Sequence, residues 1–244
     1  MEALIGTVHS ARKGSKMSLP SFRILTFERR EQQYSNLVAA WGFNEGTGTT
    51  AYDSSEHNLP LTISGSATWV AGHSGGSAIA NSGTGGATKA GWASLSSPVT
   101  IMCWARPTDL TAGTNRPLIG IWSGTDSSTS TEIAIWAQRG DFSTGNVLQG
   151  NVRVDGGLVA INHTALIVNT WVHLALSFDG SSLHLFRNGI EVNTIANTGG
   201  ITGGTFNFLV APASANAQVD DVRVFNTALS ATQVTSFMGD PVAP

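Results

Sequence analysis

The stretch from residue 41 to residue 55, WGFNEGTGTTAYDSS, concentrates residue types that could do chemistry, because it combines glycines with a glutamate and an aspartate. Glycine-rich loops can cradle phosphates, and carboxylates bind hard cations such as Ca²⁺. A phosphate loop requires a lysine and a following helix whose N-terminal amides receive the phosphate, and GFNEGTGTT provides neither. An oxygen-rich metal loop and a plain turn out of a first β-strand both stay open at this point.

Histidine, serine and cysteine show no catalytic spacing. The histidines are scattered without HExxH or His-x-His spacing, and no serine stands in a G-x-S-x-G elbow. Cys103 is the only cysteine, so the chain has neither an intramolecular disulfide nor a cysteine zinc cluster. It lies in the apolar run VTIMCWA, which predicts a buried, unreactive thiol.

Tryptophan is the best resource for a sugar-binding site, because an indole face stacks on the apolar face of a pyranose. The chain has 7 tryptophans. Trp122 and Trp136 flank the polar segment GTDSSTST, which favours a position at the rim of a sheet. We therefore predict carbohydrate contacts for this pair first, and for Trp92 after them.

The balance of charge changes near residue 35. Residues 1–35 carry 6 basic and 3 acidic residues, whereas the other 209 residues carry 7 basic and 13 acidic ones. Such a basic leader is either a flexible tail or an arm that docks on a partner or a neighbouring subunit. We predict a docked arm, with partner contacts through Arg12, Lys13, Lys16, Phe22, Arg23 and Phe27.

The whole-chain charge and hydropathy exclude two classes of partner. A net charge of −3 and a pI of about 6.0 provide no basic face for nucleic acid. The sequence has no apolar run long enough for a signal peptide or a membrane span. We expect a soluble protein that, if it is exported, uses another route.

The elements that must position these residues are short β-strands. The chain is 41% hydrophobic and only 12% charged, and its 28 glycines, together with Ser, Thr and Asn, separate apolar segments of strand length. Asp179-Gly180 and Asn188-Gly189 supply the positive φ angles of tight hairpin turns on either side of LHLFR. One short helix is predicted after the capping box Ser230-Ala-Thr-Gln233.

Four segments in register resemble laminin G-like domains of the concanavalin A-like lectin/glucanase superfamily. They are LVAAWGFNEGTGTTAYDSS, TIMCWARPT, TWVHLALSFDGSSLHLFRNGIEV and AQVDDVRVFNTALSATQV. The resemblance implies an all-β jelly-roll sandwich of two antiparallel sheets, with Trp41, Trp104 and Trp171 as core aromatics. It also implies a structural calcium ion near the exit of the first strand and the last strand, for which Glu45, Asp53 and Asp220 are the matching ligands.

Enzymes of the same superfamily carry patterns that this chain lacks. Retaining glucanases resemble E-x-D-x-x-E on one strand, because paired carboxylates must flank the scissile bond. No glutamate after residue 35 begins that pattern, and the body has a single tyrosine, Tyr52, for the tyrosine chemistry of polysaccharide lyases. We therefore predict a protein without catalytic activity.

The sequence as a whole predicts an N-terminal arm over residues 1–35, a sandwich over 36–239 and a short tail over 240–244. The function expected is a binding or structural module, extracellular or on a virion surface, that decorates a larger assembly such as a phage and contacts a cell-surface glycan. A free secreted lectin is the alternative, followed by a polysaccharide-degrading enzyme. The oligomeric state stays open.

Overall fold

A computed structural model describes residues 34–93, 95–123, 131–140, 147–164, 166–201 and 205–243. The strands are β1 (Leu37–Trp41), β2 (Thr50–Ala51), β3 (Leu61–Gly65), β4 (Thr68–Ala71), β5 (Ser77–Asn81), β6 (Gly85–Ala93), β7 (Val99–Pro107), β8 (Arg116–Trp122), β9 (Thr131–Gln138), β10 (Val147–Val154), β11 (Gly157–Thr164), β12 (Val172–Phe178), β13 (Ser182–Arg187), β14 (Ile190–Ala196), β15 (Thr205–Val210) and β16 (Ala217–Phe225). The helix α1 (Ala231–Met238) follows the last strand.

The strands form two antiparallel sheets that pack face to face. Sheet A has the spatial order β14, β13, β12, β7, β16, β5, β4, and β1 also pairs with β16. Sheet B has the order β11, β10, β9, β8, β15, β6, β3, β2. Apolar residues from both sheets meet in one core. This architecture, with a single short C-terminal helix in the described part of the chain, confirms the predicted sandwich fold.

Local turn and cap chemistry explains the elements that were predicted best. Gly180 has φ +94°, and Asn188 and Gly189 have φ +50° and +78°, as the hairpins of β12, β13 and β14 require. The side chain of Ser230 accepts a hydrogen bond from the Gln233 amide, and the Gln233 side chain accepts one from the Ser230 amide. The helix buries Val234 and Phe237 on one face.

Strand β16 is divided by a β-bulge between Asp220 and Arg223. Its first part pairs with β5, its second part pairs with β1, and its whole length runs beside β7. Asp221 is the extra residue of the bulge and has φ +46°. The bulge therefore places two adjacent carboxylates where β5 gives way to β1.

Residues 240–243, predicted as a tail, are attached to the sandwich. Val242 is 5% exposed, and its amide donates to Asp221 Oδ1 at 2.9 Å. Its carbonyl accepts a hydrogen bond from Asn44 Nδ2 at 3.2 Å, and the Ala243 carbonyl accepts one from Ser54 Oγ at 2.8 Å. This segment thus joins the first loop to the bulge of the last strand.

Candidate functional site

The loop after β1 is held together by its own carboxylates. Asp53 Oδ1 accepts hydrogen bonds from the amides of Ala40 and Ser55, each at 2.9 Å, and Asp53 Oδ2 accepts one from the Leu59 amide at 2.9 Å. Glu45 Oε1 accepts one from the Tyr52 amide at 2.6 Å. Backbone amides therefore engage both carboxylates, as in a turn that is capped by acidic side chains.

The residues predicted as calcium ligands do not form one site. Asp220 lies in the bulge of β16, where its carboxylate contacts the segment after β4, whereas Glu45 and Asp53 bind amides of their own loop. Among the residues that the structure describes, no three His, Cys, Asp or Glu side chains are grouped so that they could hold a metal ion. The set of Glu45, Asp53 and Asp220 does not fit a calcium ion, and we derive no role from one.

Asp220 and Asp221 form a buried pair of carboxylates, 2% and 3% exposed. Asp220 Oδ2 accepts a hydrogen bond from the His73 amide at 2.7 Å, and Asp220 Oδ1 accepts one from the Asp221 amide at 2.8 Å. Burial, and after it the charge of Asp221, raises the pKa of Asp220 to about 7, and burial also raises the pKa of Asp221. The pair lines a cavity of about 240 Å³ together with Asn44 and Ser74.

Trp122 and Trp136 lie together on the outer face of sheet B, the face turned away from the core. Their rings contact each other edge to face at 5.9 Å, and the Arg139 guanidinium lies 4.8 Å from the centre of the Trp136 ring. With Ala134 and Leu209 they form a second apolar cluster. The structure brings the two predicted tryptophans together but leaves them only 0% and 1% exposed, so no ring face is available for stacking in this conformation.

Glu132 on β9, the strand of Trp136, and Asn151 on the adjacent strand β10 carry side-chain atoms without hydrogen-bond partners. Asn151, on the neighbouring strand β10, is 0% exposed, and neither its Nδ2 nor its Oδ1 has a hydrogen-bond partner. Glu132 Oε2 and both indole N–H groups of the tryptophan pair also lack one. Burial raises the pKa of Glu132, and the neighbouring charge of Arg153 opposes this shift. We call Trp122, Glu132, Trp136 and Asn151 the sheet B cluster.

The sequence contained a signal for Asn151 that was not used. In VLQGNVRV, alternation places Gln149, Asn151 and Arg153 on one face and apolar or small residues on the other. When such a strand is buried along nearly its full length, its polar side chains need hydrogen-bond partners within the protein or from a ligand. The burial of β10 was visible only in the structure.

Trp92 is a core residue, which corrects its prediction as a carbohydrate contact. It is 3% exposed and packs between the sheets, with its ring centre 6.0 Å from that of Trp41 and 5.0 Å from that of Phe208. A register shift between Phe206 and Phe208, opposite this part of β6, turns Trp92 inward. Its ring faces are occupied by protein.

Trp104 and Trp171, predicted as core residues, lie instead on the outer face of sheet A. In β7, Trp104 lies between the core residues Cys103 and Ala105, so its side chain is on the opposite face of the strand, and it is only half-buried. The His73 ring stacks on it at 3.5 Å with an interplanar angle of 15°, and Trp171 meets His73 edge to face at 5.7 Å. Trp41, the third predicted core aromatic, is 0% exposed in the core.

His173 lies beneath this aromatic group and is fully buried. Its ring meets Trp104 edge to face at 5.4 Å, and neither ring nitrogen has a hydrogen-bond partner. Burial, followed by the positive charges of Arg223 and His73, lowers the pKa of His173 to about 3. The imidazole is therefore neutral at physiological pH.

The predicted partner contacts lie outside the described residues. These are Arg12, Lys13, Lys16, Phe22, Arg23 and Phe27. In the described part of the chain, no helix has the length and apolar character needed to cross a membrane.

Sheet topology and sequence together define the class of protein. Residues 81–235 match the profile of a laminin G family in the concanavalin A-like lectin/glucanases superfamily, and the chain belongs to this family. The sequence has no significant match among curated proteins.

Several solved structures share the fold. The binding domain of Paraclostridial mosquitocidal protein 1 is 15% identical with a TM-score of 0.65, and the match covers 84% of this chain and 52% of that one. The receptor-binding domain of botulinum neurotoxin type G is 12% identical with a TM-score of 0.61, over 82% and 50%. This chain therefore spans about half the length of these toxin domains.

A third structure is similar over almost its whole length. Domain 4 of AbnA, a GH43 extracellular arabinanase from Geobacillus stearothermophilus solved with arabinotriose, is 20% identical with a TM-score of 0.61. The match covers 83% of this chain and 98% of that domain. At these identities the three likenesses establish the fold.

Proposed function

We propose that this protein is a non-catalytic binding module that takes carbohydrate on the outer face of sheet B. The observation that carries the proposal is the set of buried, unpaired polar atoms in the sheet B cluster, next to two indole rings. The shared fold with an arabinanase domain solved with arabinotriose and with toxin receptor-binding domains supports it.

The unpaired atoms match the chemistry of a hydroxyl-rich ligand. Two indole N–H groups and the Asn151 amide can donate, while Asn151 Oδ1 and Glu132 Oε2 can accept. Each buried polar atom without a partner costs about 1–3 kcal/mol, so the ligand-free face is an unfavourable arrangement. A saccharide that pairs with these atoms relieves this cost, and its apolar face suits the indole rings.

Charge on this face favours binding over hydrolysis. In the described strands of sheet B, Glu132 is the only acidic residue. Glycosidases of the usual type need two carboxyl groups, about 5–5.5 Å apart in retaining and about 6.5–9.5 Å apart in inverting enzymes. Glu132 alone can orient a hydroxyl group but does not supply the acid and the base of that reaction.

Titration of the full chain with a glycan panel that includes arabinotriose tests the proposal. Because Trp122 and Trp136 are buried in the free protein, binding must expose or rearrange them, and we expect tryptophan fluorescence to shift on saturation. Asn151→Ala removes a donor and an acceptor and should weaken binding about tenfold. The free energy of unfolding of the unliganded variant should not fall, because the Asn151 amide has no partner to lose.

Asn81→Ala is the matched control for this experiment. Asn81 is also a buried amide, but it is paired: its Nδ2 donates to the Ala211 carbonyl at 2.9 Å, and its Oδ1 accepts from the Gly83 amide at 3.1 Å. Its loss should reduce stability and leave affinity unchanged. If Asn151→Ala and Glu132→Gln both bind every glycan as tightly as the native protein, the proposed site is refuted.

We further propose that the module acts outside the cell or on a virion surface, as a decoration of a larger assembly with residues 1–35 as its anchor. The contrast between a basic leader and an acidic body supports this role, since a basic arm can bind an acidic partner surface that repels the body. A free lectin is the alternative, and it needs no anchor.

A further inference from the structure

One end of the outer face of sheet A carries a set of buried and half-buried side chains. Arg106 pairs with Gln218 across the sheet, and Trp104 pairs with Asp220 on one side and His173 on the other. Trp171 immediately precedes β12 and contacts the His73 ring that covers Trp104. This surface is on the opposite side of the sandwich from the sheet B cluster, so it is independent of the carbohydrate site proposed above.

Arg106 is a positioned cation whose hydrogen-bond partners are neutral. Its Nε donates to the Asn169 carbonyl at 2.9 Å, and its Nη1 donates to Gln218 Oε1 at 3.3 Å. None of the ion pairs among the described residues involves Arg106. The guanidinium is thus fixed in direction while its charge is uncompensated, which is the state that favours a carboxylate ligand.

The bond to Asn169 extends the Arg106 side chain over the turn that leads to Trp171. Trp171 is half-buried and has its orientation set by the edge-to-face contact with His73 at 5.7 Å. His73 is fastened in turn, because its amide donates to Asp220 Oδ2 at 2.7 Å and its ring stacks on Trp104. An ordered, partly exposed indole beside a free cation offers one apolar and one charged contact to the same small ligand.

We propose that Arg106 and Trp171, supported by Gln218 and His73, form a second ligand site that takes an acidic saccharide. The carboxylate of the sugar binds the guanidinium of Arg106, and the apolar face of the ring packs on Trp171. The Gln218 amide and the His73 imidazole border the site and offer hydrogen bonds to hydroxyl groups.

The carboxylate of Asp220 does not cancel the attraction. Asp220 lies on the same face, one row away, but it is 2% exposed and is covered by the main chain of His73. A neutral sugar can use Trp171 but leaves Arg106 without its anion. Discrimination between the acidic and the neutral sugar is therefore the property that defines this site.

Titration of the full chain with methyl glucuronide and with methyl glucoside, which differ only at C6, where a carboxylate replaces a hydroxymethyl group, tests the proposal. We expect the glucuronide to bind about tenfold more tightly or better at low salt, and the difference to shrink at about 0.5 M salt. Arg106→Met keeps most of the apolar stem and should abolish the preference. Trp171→Ala should weaken both ligands, and Arg106→Lys should retain a reduced preference, because lysine lacks the planar fork.

Arg187→Met is the matched control, since Arg187 is a half-buried arginine on another strand of the same sheet. It should leave both affinities unchanged. Thermal unfolding of each variant shows that it is folded. Equal affinity for the two glycosides, a preference that survives Arg106→Met, or displacement of the glucuronide by acetate at equal concentration would overturn the proposal.

Discussion

At the scale of single residues, the adjacent carboxylates of Asp220 and Asp221 are the most unusual feature of the described chain. They are adjacent in space because the bulge of β16 gives Asp221 a left-handed backbone, and both are almost fully buried. The main-chain amide of His73 donates a hydrogen bond to Asp220, and the main-chain amide of Val242 donates one to Asp221. Burial raises the pKa values of both carboxyl groups, and the charge of Asp221 adds to the rise at Asp220.

Asp220 should make stability depend on pH near neutrality. Its pKa is about 7 in the folded protein against an ordinary value of 3.8, so the folded state keeps a proton that the unfolded chain has lost. Its contribution to the free energy of unfolding is therefore complete below pH 4 and falls as the pH rises to about 7. Asp220→Asn should remove this fall, so that the variant gains up to about 4 kcal/mol on the native protein between pH 4 and pH 8.

Urea unfolding of both proteins across this pH range measures the difference directly. The native protein and the variant have to be compared, because buried His173 also makes stability depend on pH. Its pKa is lowered, so its contribution to the free energy of unfolding is lost as the pH falls from about 6.5 to about 3, opposite in direction to the effect of Asp220. His173 is present in both, so its effect cancels. Parallel pH profiles for the two proteins would contradict the prediction.

At the scale of secondary-structure elements, a glycine that faces the core lets the two sheets pack tightly against each other. Gly150 of β10 is such a residue, and a Cβ atom built on it would lie 2.3 Å from Leu176 Cδ1 and 3.3 Å from Ile161 Cγ2. Leu176 is 0% exposed on β12 of the opposite sheet and is packed on all sides. The glycine is therefore needed for sheet packing and not for a turn.

Gly150→Val should destabilise the fold by about 3 kcal/mol, because the added methyl groups overlap packed side chains and separate the sheets. Chemical denaturation measures the loss. Gly157→Ala on the adjacent strand is the control, since its nearest neighbour would be the Val154 carbonyl oxygen at 3.5 Å, and it should change stability by no more than about 0.5 kcal/mol. Equal effects of the two substitutions would show that close sheet packing is not the cause.

At the scale of the whole molecule, we propose that different parts of the chain serve attachment and recognition. Residues 37–244 form a compact unit, and they carry the acidic excess of the body together with the outer faces of both sheets. Recognition is proposed on two opposite faces with different chemistry, unpaired polar atoms on sheet B and an uncompensated cation on sheet A. Attachment is proposed for the basic leader.

Deletion of residues 1–34 tests this division. The shortened protein should keep its unfolding temperature and its glycan affinities, because the compact unit that begins at residue 37 is intact. It should lose incorporation into the parent assembly, measured by its presence in purified particles. Replacing Arg12, Lys13, Lys16 and Arg23 by Gln should reduce incorporation in the same way if charge drives docking. Undiminished incorporation of the shortened protein would refute the anchor.

Local sequence patterns were sufficient for several particular elements, whereas the resemblance to laminin G-like domains implied the general architecture. Asp179-Gly180 and Asn188-Gly189 specify hairpins because each fixes positive φ angles within a few residues, and Ser230 with Gln233 specifies a helix start for the same local reason. By contrast, β3 to β6 were not predicted, since their sequences are rich in Gly, Ser and Thr and become strands only through their partners.

The sequence by itself determined a chain of short strands joined by turns, because turn chemistry and alternation act over short distances, and its resemblance to laminin G-like domains implied the two-sheet sandwich. Only the tertiary structure decided which way individual side chains point. Bulges turn Trp92 into the core and bring the side chains of Asp221 and Asp220 together. The His73 amide binds Asp220, which is 147 residues away in the sequence, and the His73 ring stacks on Trp104. A bulge reverses inside and outside for every later residue of a strand, so the candidate sites could not be located from residue types alone.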